Sequence, residues 1–144
     1  MSHYADSSFL VSCFVADANT AQARTYLSAH PIPLAFTVLH DLEVRNALKL
    51  GVFRALFPAS AAMSAWANLQ KDLRSGRLVK TAVKWSLAFR FGARLSERYT
   101  VVTGTRSLDI LHVAVARSLR TTDFLSFDSR QRALAAIAGL NVAP

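Results

Sequence analysis

Short apolar segments alternate along this chain with longer segments that have helical periodicity. Two of the apolar segments, residues 3–5 and 124–127, carry aromatic residues and are followed by an aspartate. Signals for β-hairpins are sparse, so consecutive strands are expected to be joined by helices and to run parallel. This pattern predicts an α/β fold in which helices cover both faces of a short parallel sheet.

The predicted elements follow from this alternation and from the positions of Pro and Gly. Strands are predicted at residues 3–5, 34–37, 78–81, 124–127 and 140–143, the last at an edge of the sheet. Helices are predicted at residues 7–15, 18–29, 38–54, 59–74, 85–99, 107–119 and 128–138. In the segment at 38–54, positions that repeat at intervals of three and four indicate a helical period. These are Leu39, Leu42, Asn46, Ala47, Leu50 and Phe53.

The length and composition favour one globular domain that spans residues 1–144. A chain of 144 residues with 52% hydrophobic content can bury a core and is too apolar for a disordered tail. The single cysteine, Cys13, excludes an intrachain disulfide and any multi-cysteine zinc site. Because Cys13 lies in an apolar run, we expect it to be an inert core thiol.

Membrane insertion is not expected. Every uncharged stretch is interrupted by polar residues or proline before it reaches the roughly 18 to 20 apolar residues that cross a bilayer. No Lys or Arg precedes the first apolar run, and Asp6 falls early, so the N-terminus does not resemble a secretory signal. We therefore expect a protein of the cytoplasm.

The charge balance is strongly basic. Lys and Arg number 17 against 9 Asp and Glu, which gives a net charge of +8. Most of the basic residues are Arg, whose planar guanidinium binds phosphate through paired donors. Such a charge favours nucleic acid, an anionic membrane or an acidic partner, although a solvated basic surface is also compatible with it.

Four of the acidic residues lie in unusual surroundings. Asp6 follows the first predicted strand, and Asp128 follows the strand at 124–127. Asp109 stands between apolar residues, and Glu43 lies inside the helix at 38–54. Because burial of an unpaired carboxylate is costly, each one needs a helix cap, an Arg partner or a cation.

Helix capping would account for three of these acids one at a time. Asp6 and Asp128 stand where a strand gives way to a helix, and Asp128 with Gln131 forms the pattern of a capping box. Asp109 would lie in the first turn of a helix capped by Ser107, where the helix dipole favours a negative charge.

A common site would account for all four. The carboxyl ends of parallel strands meet at one sheet edge, where ligands bind in open α/β folds. Glu43 has no capping role, since it lies well inside its helix. Four clustered carboxylates would repel one another unless a divalent cation neutralised them, and their oxygen ligands suit Mg²⁺ or Mn²⁺. A carboxylate-bound metal among basic residues is typical of phosphate chemistry.

Four stretches of the sequence carry a family resemblance that covers essentially the whole chain. They are YADSSFLV (4–11), LHDLEVRNAL (39–48), RSLDILHVAVA (106–116) and FLSFDSRQRALA (124–135). Together they resemble the PIN domain, and in particular the VapC-type toxin ribonucleases of toxin–antitoxin pairs. The pairing of the last two stretches is the most specific part of this resemblance.

The resemblance implies a three-layer α/β/α sandwich and a metal-dependent endoribonuclease. Asp6 and Asp109 would be the primary metal ligands, Glu43 would complete the acidic cluster, and Asp128 would support it directly or through water. Ser7 matches the small hydroxyl residue after the first Asp and would form a hydrogen bond within the site. Ala5 stands where the family often has a bulkier apolar residue, a departure that concerns packing.

Several basic residues are candidates for substrate binding or for packing. Arg106 and Arg130 lie at helix starts next to the acids, where they would bind phosphate or pair with a site carboxylate, and the same holds for Arg132. His112 is expected to be a hydrogen-bonded core histidine. The histidines expected to be exposed are His3 and His30.

An apolar region precedes and follows the breaks at Gly51 and Pro58. Most of its large residues are expected in the core. In the VapC-type toxins this region accepts a helix of the partner, so the resemblance implies that some are exposed for an antitoxin or for self-association. The residues concerned are Leu48, Val52, Phe53, Leu56, Phe57 and Trp66.

The leading hypothesis is therefore a Mg²⁺-dependent endoribonuclease, with Mn²⁺ as a possible substitute, that is the toxin of a type II toxin–antitoxin pair. The family makes a homodimer the expected assembly. The alternative is a non-catalytic basic RNA-binding α/β module in which the acids are caps. A hydrolase of small phosphoesters is a third possibility, although the D-x-D pattern typical of such enzymes is missing after the first strand.

Overall fold

The computed structural model describes residues 2–144 and contains short strands between longer helices. The strands are β1 (His3–Ala5), β2 (Leu34–Phe36), β3 (Leu78–Lys80), β4 (Asp123–Leu125) and β5 (Asn141–Ala143). The helices are α1 (Ser7–Phe14), α2 (Thr20–Ala29), α3 (Val38–Phe53), α4 (Ala59–Ser75), α5 (Trp85–Thr103), α6 (Ser107–Ser118) and α7 (Ser129–Ile137). Every strand pair that forms is parallel, so the predicted α/β class with a parallel sheet is confirmed.

The contacts divide the chain into two compact units. The first unit contains the N-terminal residues up to Asp6 together with Ala82–Pro144, and the second contains Ser7–Thr81. The boundary between Asp6 and Ser7 lies at the point where β1 ends and α1 begins.

The first unit is built on a three-stranded sheet in the order β1-β4-β5, so β5 is an edge strand as predicted. In the register of β1 and β4, Tyr4 is paired with Phe124, and their rings stack with centroids 5.9 Å apart. Both side chains are fully buried. Helix α6 packs with α5 and α7, and its residues from Ile110 to Ala116 are all buried. This apolar support fixes the ends of β1, β4 and α6.

The second unit contains the parallel pair β2-β3 with helices α1 to α4. Helix α3 begins with a reciprocal capping box, in which Thr37 is the N-cap and His40 is the third helical residue. Thr37 donates its backbone N–H to His40 Nδ1 at 3.0 Å, and His40 is fully buried. The capping box fixes the first turn of the helix that carries Glu43.

The buried face of α3 does not follow the positions that define its helical period. The buried residues are Leu39, His40, Val44, Leu48 and Gly51. Of the positions that define the helical period, Leu42 is 66% exposed and Phe53 is 85% exposed, so the period identifies the helix but not its buried face. Apolar residues occur on more than one side of this helix, and its intervals of three and four therefore fit two faces. A close approach decides between them, because a Cβ at position 51 would lie 2.1 Å from the Phe57 ring.

Helix α5 is one turn longer than predicted. It continues to Thr103 and ends at Gly104, which has the left-handed φ of 65° that glycine adopts without strain. Val101 and Val102 in this last turn are 96% and 80% exposed. Within residues 2–144, none of the helices has the length and apolarity that a membrane crossing requires.

Candidate active site

Asp6 lies at the carboxyl end of β1 in the first unit. Its backbone N–H donates to the carbonyl oxygen of Leu125 at 3.0 Å, which continues the pairing of β1 with β4 by one residue. Only 4% of Asp6 is exposed. A carboxylate at this depth needs polar partners. One of them is Ser126, whose Oγ donates to Asp6 Oδ2 at 2.9 Å.

Ser126 is a fully buried hydroxyl that joins three parts of the first unit. Besides Asp6, its Oγ contacts Gln131 Oε1 at 2.8 Å and accepts the backbone N–H of Asp128 at 3.1 Å. A serine hydroxyl has a single hydrogen and two lone pairs, so Asp6 and Gln131 share one donor. Any change at Ser126 therefore affects Asp6 directly.

Gln131 extends this network to the start of α6. Its side chain is fully buried, and Nε2 donates to the backbone carbonyl of Asp109 at 3.1 Å. The path from Asp6 through Ser126 and Gln131 to Asp109 consists of direct hydrogen bonds. The polar network thus connects the segments that carry three of the predicted site acids, namely Asp6, Asp109 and Asp128.

Asp109 lies in the first turn of α6, as predicted, with 25% of its side chain exposed. Its Oδ2 accepts from Arg106 Nε at 3.2 Å, and the Arg106 side chain is 82% exposed. Ser107 was expected to cap this helix, which was wrong. Arg106 occupies the N-cap position, Ser107 is the first helical residue, and no side chain of the cap accepts a backbone N–H.

Asp128 is the N-cap of α7, and its Oδ1 accepts the backbone N–H of Gln131 at 2.7 Å. The predicted capping box is wrong in its second half. A full box needs the Gln131 side chain to accept the N-cap N–H. Instead, that N–H is donated to Ser126 Oγ, and the Gln131 side chain is used by Ser126 and Asp109. Asp128 itself is exposed.

The arginines near these acids differ in their roles. Arg132 is half-buried and donates through Nη1 to the carbonyl oxygens of Ser126 at 2.7 Å and Pro144 at 3.0 Å, so it stabilises the chain terminus. Arg130 is exposed, and its backbone carbonyl accepts a hydrogen bond from Thr105 Oγ1 at 3.2 Å. Arg130 and Arg106 are both exposed, so their guanidinium groups are accessible to an anion.

Glu43 and Ser7 form a separate pair in the second unit. Ser7 Oγ donates to Glu43 Oε1 at 3.2 Å, where α1 packs against α3. Ser7 is buried and Glu43 is half-buried. Asp41, by contrast, is held by Arg45 at 2.8 Å in an exposed ion pair.

The histidine predictions have mixed outcomes. His112 is buried in the first unit, and its Nδ1 lies 2.7 Å from Tyr4 Oη, which confirms a structural histidine. His30 is exposed, as predicted. His3 is only 6% exposed and was predicted wrongly, since strand β1 lies deeper than its terminal position suggested.

Sequence reasoning missed Ser126 as a site residue and gave Gln131 only a capping role. Their signal was weak but present. Ser126 is a polar residue in the apolar run 124–127, close to the candidate acid Asp128. Gln131 follows Asp128 by about one helical turn. A polar residue inside an apolar strand end needs a partner, and that requirement identifies it.

The carboxylate oxygens in the first unit are the type of ligand that a hard divalent cation prefers. Within residues 2–144, no group of three or more His, Cys, Asp or Glu side chains is arranged as a metal site. Mg²⁺ does not require such a cage, because it is commonly held by one or two carboxylates and keeps several waters. Asp6 and Asp109 each carry a carboxylate, and the hydrogen-bond network runs from the Asp6 carboxylate to the backbone carbonyl of Asp109, so the two residues suit that mode of binding in type.

Comparison with known proteins gives similarities of structure alone. No protein-family model matches the chain, and no curated protein matches its sequence. Mycobacterium tuberculosis VapC20, described as a sarcin-ricin loop cleaving toxin, is similar with a TM-score of 0.68 and 17% identity over 99% of this chain and 100% of that one.

Two further solved structures are similar over 99% of this chain. VapBC2 from Rickettsia felis, bound to a DNA fragment from its promoter, has a TM-score of 0.68 and 12% identity, with 98% of its chain covered. FitAcB from Neisseria gonorrhoeae has a TM-score of 0.64 and 14% identity, with 96% covered. The predicted fold is confirmed by these similarities.

Proposed function

We propose that this chain, which has the PIN-like α/β fold of the VapC-type toxins, is a Mg²⁺-dependent endoribonuclease and the toxin of a type II toxin–antitoxin pair. One observation carries the proposal. The buried carboxylate of Asp6 belongs to a hydrogen-bond network that also includes the backbone carbonyl of Asp109 and the backbone N–H of Asp128.

In this proposal Asp6 and Asp109 would hold the metal, and Mn²⁺ could replace Mg²⁺. When bound, the metal polarises a phosphoryl oxygen and lowers the pKa of a water molecule. The role we propose for Glu43 and for Asp128 is to position the water that would attack the phosphodiester. Asp128 Oδ1 caps α7, which leaves Oδ2 to accept a hydrogen bond from that water.

The remaining residues orient these groups and bind the RNA backbone. Ser126 holds Asp6 Oδ2 in one direction, and Ser7 does the same for Glu43 Oε1. Arg106 and Arg130 present exposed guanidinium groups to phosphates. Arg106 also pairs with Asp109, so binding of a phosphate would compete with that ion pair.

We also propose that the chain binds an antitoxin protein and forms a homodimer. Exposed apolar residues support a protein partner, since Phe53 is 85% exposed, Leu56 71% and Met63 70%. They lie at the end of α3, just after it and on α4, within the region that accepts a partner helix in the VapC-type toxins that the sequence resembles.

The second candidate is a non-catalytic RNA-binding module, and two contacts favour it. Asp128 does cap α7, and Asp109 pairs with Arg106. In that case the basic surface binds RNA with a steep salt dependence, and the carboxylates contribute nothing beyond stability.

A cleavage assay distinguishes the two candidates. The purified protein is incubated with a mixture of structured and single-stranded RNAs in Mg²⁺, in Mn²⁺ and in EDTA. The nuclease proposal expects fragments with either metal and none in EDTA, with loss of cleavage in Asp109→Asn and unchanged RNA binding. Binding without cleavage under all conditions would support the RNA-binding module. Turnover of a generic phosphomonoester would instead indicate the small-phosphoester hydrolase.

A further inference from the structure

The second unit contains a cavity of about 590 Å³ that involves none of the candidate site residues. This volume lies in the range of sites for small molecules. Its wall is formed at the ends of α1, α2 and α4 and at the start of β2 and β3. The apolar lining residues are Leu10, Phe14, Leu27, Ile32, Leu34 and Leu78.

A second cavity of about 340 Å³ shares part of this wall. Both are lined by Cys13, Phe14, Arg24, Asp72 and Arg77, so the two spaces adjoin along a common side. The second cavity adds polar residues, Asn68 and Lys71. The whole is therefore a cleft with an apolar chamber on one side and a polar chamber on the other.

The polar chamber is positively charged. Arg24, Lys71 and Arg77 face it against the single carboxylate of Asp72, which leaves an excess of positive charge. Arg24 donates through Nη2 to the carbonyl oxygen of Cys13 at 3.2 Å, and Arg77 donates through Nη1 to Asp72 Oδ1 at 3.1 Å. A guanidinium has five N–H donors, so these bonds orient both arginines and leave donors for an anion.

Buried core residues form the bottom of the apolar chamber. Leu10, Leu34 and Leu78 are each less than 5% exposed, and the last two are paired in the register of β2 and β3. Pro31 and Pro33 fix the backbone on one side of the opening, because each has a restricted φ. The chamber is thus open at the surface and closed below by packed core residues.

We propose that this cleft binds an amphipathic anion, with an apolar chain or ring in the chamber and a carboxylate or phosphate group against Arg24 and Arg77. The apolar part gains free energy from burial against the leucines. The anionic part gains charge-assisted hydrogen bonds from two arginines. A neutral ligand would lose the hydrogen bonds to the arginines, and an inorganic anion would lose the burial of apolar surface.

Octanoate is the probe, and octanol is its neutral counterpart. Amide chemical shifts of the ¹⁵N-labelled full chain report where each one binds. We expect octanoate to shift residues that line the cleft and to bind at least about tenfold more tightly than octanol. Arg24→Gln and Arg77→Gln should each weaken octanoate about tenfold. Arg74→Gln, an exposed arginine of α4 outside the cleft, should leave binding unchanged.

A second variant keeps the test independent of the ion pair between Arg77 and Asp72. Ser28→Trp places an indole at the exposed edge of the apolar chamber and should block octanoate while the spectrum stays folded. Equal affinity for octanoate and octanol, or shifts confined to residues outside the cleft, would overturn the proposal. Retained binding in both arginine variants would overturn it as well.

A parallel sedimentation experiment with lipid vesicles distinguishes a membrane lipid from a free small molecule as the ligand. Sedimentation with phosphatidylglycerol vesicles but not with phosphatidylcholine vesicles, lost in Arg24→Gln, would identify a lipid as the ligand. Octanoate binding without sedimentation would identify a free small molecule.

Discussion

The hydroxyl of Ser126 donates to the carboxylate of Asp6 across the parallel pair of β1 and β4, at 2.9 Å. Both residues are buried, and each lies one residue beyond the end of its strand. The contact joins positions that are 120 residues apart in the sequence. The orientation of the first candidate metal ligand therefore depends on the strand that precedes the last helix.

Ser126→Ala should destabilise the protein and reduce cleavage together. The substitution removes the donor to Asp6 and the acceptor of the Asp128 N–H, and a buried polar group that loses its partner costs about 1–3 kcal/mol. Urea unfolding measures the free energy, and the RNA assay measures the rate. Ser129→Ala, an exposed serine at the start of α7, is the matched control and should change neither quantity.

Substitutions of Asp128 separate capping from catalysis. Asp128→Ala removes the cap of α7 and should cost about 1 kcal/mol of stability. Asp128→Asn retains the cap, since Asn is an equally good N-cap residue, and should preserve stability. If Asp128 positions water, cleavage falls in both variants. Full activity in Asp128→Asn would restrict the residue to its capping role.

Arg106→Gln should affect RNA binding and leave stability nearly unchanged. Its ion pair with Asp109 is exposed on the arginine side, and such pairs contribute less than about 1 kcal/mol. If Arg106 binds phosphate, the slope of log K for RNA binding against log salt concentration should decrease in magnitude by about one. Arg74→Gln removes the same charge from α4 and is the control. An identical salt slope in both variants would exclude Arg106 as a phosphate contact.

Cys13 should react slowly in the folded protein. Burial raises the pKa of the Cys13 thiol from 9.0 to about 12, although the nearby Arg24 lowers it in part. A raised pKa leaves less thiolate at pH 8, so carboxamidomethylation should be at least about a hundredfold slower in the folded chain than in urea. The same shift makes the folded state lose stability as the pH rises from 9.0 towards 12. Equal labelling rates in both states would contradict the buried, protonated thiol.

The order of the elements could be predicted from the sequence because each short apolar segment and each helix has its own local signal. The strands at 3–5 and 78–80 and the end of α4 at Gly76 follow from apolar runs and from a left-handed glycine. These features depend on neighbouring residues only, so no knowledge of the tertiary structure was needed.

The buried face of α3 and the partners of Asp6 could not be predicted in the same way. Leu42 and Phe53 are apolar but exposed, and only the packing of α3 against α1 and α4 determines which side is buried. The contact of Ser126 with Asp6 depends on the parallel register of β1 and β4, which local patterns do not encode. The same limit applies to Gln131, whose side chain is used by tertiary contacts instead of by its own helix cap.

Asp6→Asn tests the central proposal most directly. The change removes one negative charge and keeps the size of the side chain, so Ser126 still has an oxygen to bind and the fold should remain intact. RNA cleavage in Mg²⁺ should fall by at least about a hundredfold, because loss of metal affinity and of charge both act on the reaction. Circular dichroism and urea unfolding check that the variant is folded. A folded Asp6→Asn protein that cleaves RNA at the rate of the unsubstituted chain would contradict the proposal.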